Sequence, residues 1–145
     1  MVSTRDDCLP RMPIATVLFA CLHNAGRSPM AAAFFNSMAD PRKAIAVSAG
    51  TEPLETLYPA AVTVMQEMGM DISTSVPKQL TEEMAERADM LITMGCADEC
   101  PDAPGIPRED WAVEDPGGLP MDRVRRIQEL LLTRVMRLID AQGWR

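Results

Sequence analysis

The sequence predicts a small α/β fold, a doubly wound parallel sheet of about four strands with helices on both faces. Two observations predict it. Short apolar runs containing β-branched residues alternate with stretches whose apolar residues recur at helical spacing, so strands and helices take turns along the chain. The apolar runs are unbroken, as they are in strands buried on both sides. Right-handed crossovers then wind the helices onto both faces of one sheet.

Ile14-Ala15-Thr16-Val17-Leu18-Phe19-Ala20 reads as the first buried strand. A polar loop follows, Cys21-Leu22-His23-Asn24-Ala25-Gly26-Arg27-Ser28. Pro29-Met30-Ala31-Ala32-Ala33-Phe34-Phe35 then opens a helix, with Ser28 as its N-cap and Pro29 at the first helical position. Ala44 to Ala49 reads as a second strand, ended by Gly50. A helix is predicted from Pro59 to Met68, with Val62, Met65 and Met68 near one face and Gly69 as the C-terminal cap. Thr81 caps a short acidic helix reaching Arg87, with Met84 toward the core. Met90-Leu91-Ile92-Thr93-Met94 is the next buried strand and runs straight into Gly95-Cys96. From Ala97 to Pro120 the chain is rich in proline and glycine and reads mostly as loop, with Trp111-Ala112-Val113 as a short final strand. Asp122 to Ala141 is the clearest helix: Val124, Ile127, Leu131, Val135 and Leu138 face the core, and Arg123, Arg126 and Arg134 form a solvated face.

A length of 145 residues suits one domain, here 13–145, preceded by a polar leader, 1–12, predicted to be disordered. At 47% apolar and 24% charged residues the composition is that of an ordinary globular protein. The net charge of −7 argues against nucleic acids and acidic membranes as partners. No apolar run reaches transmembrane length, and Asp6, Asp7, Pro10 and Pro13 stand where a signal peptide needs an apolar stretch, so a cytoplasmic location is expected. The four cysteines, Cys8, Cys21, Cys96 and Cys100, should then be reduced at rest, which favours catalysis or metal binding over a disulfide framework. Cys8, in the leader, reads as an incidental thiol.

In such sheets ligands bind at the C-terminal ends of strands, and both Cys21 and Cys96 sit at such ends. A loop that leaves a buried strand and enters a helix N-terminus aims its N–H groups inward, and the helix dipole adds positive charge there. Cys21 and Arg27 bracket this loop, with five residues between them. A tetrahedral oxyanion fits the cradle, with Arg27 binding two of its oxygens, and the same surroundings favour the Cys21 thiolate. Leu22 to Ser28 are therefore the expected oxyanion-binding residues, and no bound metal is expected.

Val17-Leu18-Phe19-Ala20-Cys21-Leu22-His23-Asn24-Ala25-Gly26-Arg27-Ser28-Pro29-Met30-Ala31 closely resembles the active-site loop of the low-molecular-weight tyrosine phosphatase superfamily. Within it the chain resembles the thioredoxin-coupled arsenate reductases, with further matches at Ser48-Ala49-Gly50-Thr51, Met94-Gly95-Cys96-Ala97-Asp98-Glu99-Cys100-Pro101 and Asp115-Pro116. The resemblance implies that Cys21 attacks arsenic while Arg27 and the loop N–H groups hold the oxyanion. It implies that Asn24 and Ser28 shape the loop and stabilise the thiolate, and that Asp115 is the general acid. Taken alone, an Asp before Pro-Gly-Gly is more often a turn residue. Some members hold potassium through a carboxylate whose matching position here is Ala32, so no such site is expected. His23 either tunes the thiolate or points to solvent.

Cys96 and Cys100 admit three readings: small core residues, half of a zinc site, or a redox relay. Asp98, Glu99 and Pro101 speak against the first, and too few further ligands against the second. The resemblance favours the relay, in which Cys96 attacks Cys21, Cys100 resolves Cys96, and an external thiol reductant, thioredoxin or a similar protein, reduces the resulting disulfide. No bound cofactor is expected. The runner-up is a low-molecular-weight phosphotyrosine phosphatase, which usually places aromatic residues after the Asp-Pro, where this chain has Gly117 and Gly118 and its only tyrosine is Tyr58. A non-enzymatic oxyanion-binding regulatory domain is the third alternative.

Overall fold

A computed structural model of the chain describes residues 14–95 and 103–145. The leader, with Cys8, and the segment bearing Cys96 and Cys100 lie outside the described residues. The described strands are β1 (Ala15–Cys21), β2 (Ala44–Gly50), β3 (Met90–Met94) and β4 (Arg108–Asp110), in the spatial order β2-β1-β3-β4. Every neighbouring pair is parallel. The expected doubly wound sheet is present.

Strand alternation divides β1 between two cores. Val17, Phe19 and Cys21 join the larger cluster, and Leu18 and Ala20 join the smaller one on the opposite face. Helices α1 (Arg27–Met38), α2 (Pro59–Glu67) and α4 (Met121–Gln142) supply the larger cluster through residues such as Phe34, Phe35, Met65 and Leu131. The short α3 (Glu82–Arg87) covers the other face with Ala85, and Thr81 caps it by accepting the Met84 N–H at 3.1 Å. In α4, Val124, Ile127, Leu131, Val135 and Leu138 are all buried, as the spacing predicts. Gln128 is buried among them, and its Nε2 donates to the Val64 carbonyl at 2.7 Å, tying α4 to α2.

Several local expectations need correction. Cys21 is the last residue of β1 rather than the first of the loop. Helix α1 begins at Arg27, with Gly26 as N-cap; Ser28 lies inside the helix because its hydroxyl is engaged by Cys21 and Asn24. The buried face of α2 is Ala61, Val64 and Met65, while Met68 is 43% exposed and Val62 only partly covered. In α3 the fully buried residue is Ala85, and Met84 is half-buried.

The last strand is Arg108–Asp110, three residues before the one expected at Trp111–Val113. Trp111 and Val113 are buried, which accounts for their strand-like pattern. Trp111 N–H still reaches the Thr93 carbonyl at 2.8 Å, but the Val113 carbonyl goes to Arg27 instead of to a strand. Side-chain demand at the loop ends the ladder.

Leu131 is wholly buried where α4 meets the larger core. Leu131→Ala should cost about 2–5 kcal/mol, the usual range for emptying a core leucine site. The check is a lower denaturant midpoint with an unchanged slope.

Candidate active site

Cys21 closes the central strand, opposite Gly50 on β2 and Met94 on β3. Its thiol is 1% exposed. Sγ lies 2.9 Å from Ser28 Oγ and accepts the Asn24 N–H at 3.2 Å. One backbone donor and one hydroxyl that is able to donate thus lie against the sulfur, an arrangement compatible with a thiolate. The loop after Cys21 turns through Asn24, the sole non-glycine residue with positive φ (+48°) among those described, a conformation that asparagine tolerates.

The Asn24 side chain fixes that turn. Its Nδ2 donates to Ser28 Oγ at 2.7 Å and to Ser48 Oγ at 3.0 Å, and its Oδ1 accepts the Lys78 N–H at 2.9 Å. Loop, helix, neighbouring strand and the segment at Lys78 are joined by one buried amide. Gly50 makes the close approach feasible: a Cβ there would lie 2.8 Å from the Leu22 carbonyl oxygen and 2.9 Å from Asn24 N. Leu22 and His23 are partly exposed, whereas Asn24 to Ser28 are buried. His23 Nδ1 lies 3.1 Å from the Glu52 carbonyl, which can only accept, so this nitrogen carries a proton and the ring is held at the rim.

Arg27 is 6% exposed. Its Nη1 donates to the Val113 carbonyl at 3.0 Å, and its buried Nε has no partner among the described residues. A buried guanidinium nitrogen without a partner is costly unless a ligand meets it, and an oxyanion is the natural one. Gly95 (φ +80°) makes room for this side chain, since a Cβ there would sit 2.5 Å from Nη1.

The Arg27–Val113 bond brings the 113–116 segment onto the loop. Pro116 follows, close enough that a Cβ on Gly26 would lie 2.6 Å from its Cγ. Asp115 is half-buried; its Oδ1 accepts the Gly117 N–H at 3.3 Å and its Oδ2 accepts the Tyr58 hydroxyl at 3.2 Å. Cys21, Arg27 and the Asp115 loop therefore share one end of the sheet. Cys96 and Cys100, the other two expected site residues, lie outside the described residues. Sequence reasoning quoted Ser48, Gly50 and Gly95 among the matching motifs, and Gly50 as the end of the second strand, but gave none of them a role in the site, although each lies at or near the C-terminal end of β2 or β3, where a parallel sheet places its ligands. It named Tyr58 only as the sole tyrosine and did not place it beside Asp115, because no local pattern links residues 57 positions apart.

Ala32 lines a cavity of ≈ 290 Å³ behind the loop, between α1 and β2, with Asn24, Ser48 and Lys78. No group of three or more His, Cys, Asp or Glu suited to a metal converges among the described residues.

A buried strand-end thiol and a buried arginine at the start of the following helix make a site suited to holding an oxyanion beside a cysteine. The chain belongs to the low molecular weight phosphotyrosine protein phosphatase family, whose profile matches residues 16–142. It is 35% identical over 126 residues to a Halobacterium salinarum protein provisionally named an arsenate reductase, covering 84% of this chain and 89% of that one. It is 31% identical over 126 residues to a glutaredoxin arsenate reductase of Synechocystis, covering 85% of this chain and 95% of that one. Among solved structures it is similar to a thioredoxin-dependent arsenate reductase of Corynebacterium glutamicum, with a TM-score of 0.78 and 35% identity. That alignment covers 91% of this chain but 63% of the Corynebacterium chain.

Gly50→Ala should displace the loop at Leu22 and Asn24 while leaving β2 paired. Binding of inorganic phosphate, measured by calorimetry, should weaken roughly tenfold or more, the scale of losing about one hydrogen bond to a charged group. Wild-type affinity would show that the loop does not need this close approach.

Proposed function

We propose that this chain is an arsenate reductase in which Cys21 is the nucleophile and Cys96 and Cys100 carry the oxidation outward. The observation that supports it best is the buried Cys21 thiol, met by Asn24 N–H and Ser28 Oγ beside an Arg27 Nε with no partner among the described residues. The names of the relatives point the same way.

The chemistry follows from these groups. Arsenate lies in the loop with its oxygens on the N–H groups and on Arg27. The Cys21 thiolate attacks arsenic; an As–S bond forms, an As–O bond breaks, and the departing oxygen takes a proton from Asp115 and leaves as water. The Cys96 thiolate then attacks the Cys21 sulfur. An S–S bond forms, the S–As bond breaks, and its electron pair stays on arsenic, which goes from As(V) to As(III) and departs as arsenite. Cys100 attacks Cys96 and frees Cys21. An external dithiol restores the Cys96–Cys100 pair to thiols and is itself oxidised; thioredoxin is our reading of that partner. The described support for the first exchange is on β3: Met94, two residues before Cys96 in sequence, pairs with Cys21.

No described helix is long and apolar enough to cross a membrane. Reduced thiols at rest are what this cycle requires, and a reducing compartment such as the cytoplasm supplies them.

One observation favours a second reading, phosphotyrosine phosphatase. The aromatic side chain missing after Asp115-Pro116 is supplied from elsewhere, because the Tyr58 ring lies where a side chain on Gly117 would meet it at 2.8 Å. Cys96→Ala separates the two. It should eliminate arsenite formation and spare slow hydrolysis of an aryl phosphate, since only the reductase needs a second thiol. Rapid hydrolysis of phosphotyrosine peptides by a wild-type protein that produces no arsenite would favour the phosphatase.

A further inference from the structure

Tyr58 stands at the junction of three pieces of the site. Its backbone N–H donates to the Ala25 carbonyl in the oxyanion loop at 2.9 Å. Its ring edge faces Gly26, where a Cβ would meet Cδ2 at 3.0 Å. The far end of the ring faces Gly117, where a Cβ would meet both Cζ and the hydroxyl at 2.8 Å. Pro116 packs against Gly26 beside it, and the hydroxyl reaches Asp115 Oδ2 at 3.2 Å. The two glycines are needed here for space: any side chain at 26 or 117 would push the ring and the acid loop apart.

We infer that Tyr58 is the positioning residue of the proton donor, its ring clamping the 115–117 segment to the oxyanion loop and its hydroxyl orienting the Asp115 carboxyl. This rests on the reading of Asp115 as the general acid and adds the element that aims it.

Geometry and chemistry both support it. Asp115 sits on a loop, and its backbone neighbour Gly117 restrains only Oδ1, through a long 3.3 Å contact. Oδ2 has Tyr58 as its partner. A phenol suits both states of a proton donor, because it donates to the carboxylate and can turn to accept from the carboxylic acid. Burial, followed by the nearby Asp115 charge, pushes the Tyr58 phenol up to about 12, so it keeps its proton at any working pH. The ring is also rigid, with few torsions to freeze, and so transmits position better than a flexible side chain could.

The test is a mutant cycle on Tyr58→Phe, Asp115→Asn and the double variant, each assayed in single turnover. The assays run on arsenate and, in parallel, on an aryl phosphate, since both reactions use the same acid. Tyr58→Phe keeps the ring and should keep the fold. The chemical step should fall roughly three- to tenfold, against roughly a hundredfold for Asp115→Asn. Affinity for inorganic phosphate should not change, because the loop donors are intact. The double variant should be no slower than Asp115→Asn, as expected when one group acts only through the other. A wild-type rate for Tyr58→Phe beside a slow Asp115→Asn overturns the inference and leaves the acid reading standing. Parallel loss of phosphate affinity, or losses that multiply in the double variant, also overturns it by showing a structural or independent role. A wild-type rate for Asp115→Asn on both substrates overturns the acid reading and this inference together. Failure on arsenate alone concerns the substrate only, and the cycle on the aryl phosphate still decides the role of Tyr58.

Discussion

The backbone turn after Cys21 is held by the side-chain amide of Asn24. Both donor capacity and the carbonyl of that amide are used, on Ser28, Ser48 and the Lys78 N–H. A turn with positive φ at a non-glycine residue carries strain, and a buried, fully satisfied network is what makes such a turn persist. From this one fixture the rest follows. Ser28 is locked against the sulfur, the helix N-terminus is aimed at the same point, and Arg27 is left to face inward. The cradle is preorganised by polar contacts outside itself, so the donors need not rearrange when an anion arrives.

A chain of net charge −7 is a poor general attractant for anions. The proposed oxyanion would therefore be selected by short-range terms: the helix dipole, loop N–H groups and one buried guanidinium. Arg27 also serves a second end, because its Nη1 holds the Val113 carbonyl and with it the segment that leads to Asp115. In the proposed cycle, the anion grip and the segment that carries the proton donor are thereby connected through a single side chain. The cost is visible at β4, which stops at Asp110 as the backbone turns toward Arg27.

The fold was legible because its signals are local. Unbroken apolar runs at 15–20 and 90–94, and the apolar spacing of α4, depend on neighbours within a turn or two. The Cys21-to-Arg27 loop was legible for the same reason, being a contiguous strand-loop-helix passage. What failed were positions where tertiary contacts override local pattern. Ser28 has the look of an N-cap, but Asn24 and Cys21 claim its hydroxyl. Trp111 and Val113 have the burial of a strand, but the ladder ends with the Trp111–Thr93 bond. Tyr58 carries no local signal at all, and only folding brings it to Gly117 and Asp115.

The central claim is that arsenic leaves Cys21 by attack of a second thiol of the same chain. Single turnover of Cys100→Ser with arsenate, without external thiols, tests it most directly, read by mass mapping of disulfides beside arsenite release. One equivalent of arsenite per chain and a trapped Cys21–Cys96 disulfide is the result expected here, because nothing remains to resolve that bond. No arsenite and no disulfide to Cys21 would contradict it, and would mean that an external thiol attacks the arsenic adduct directly.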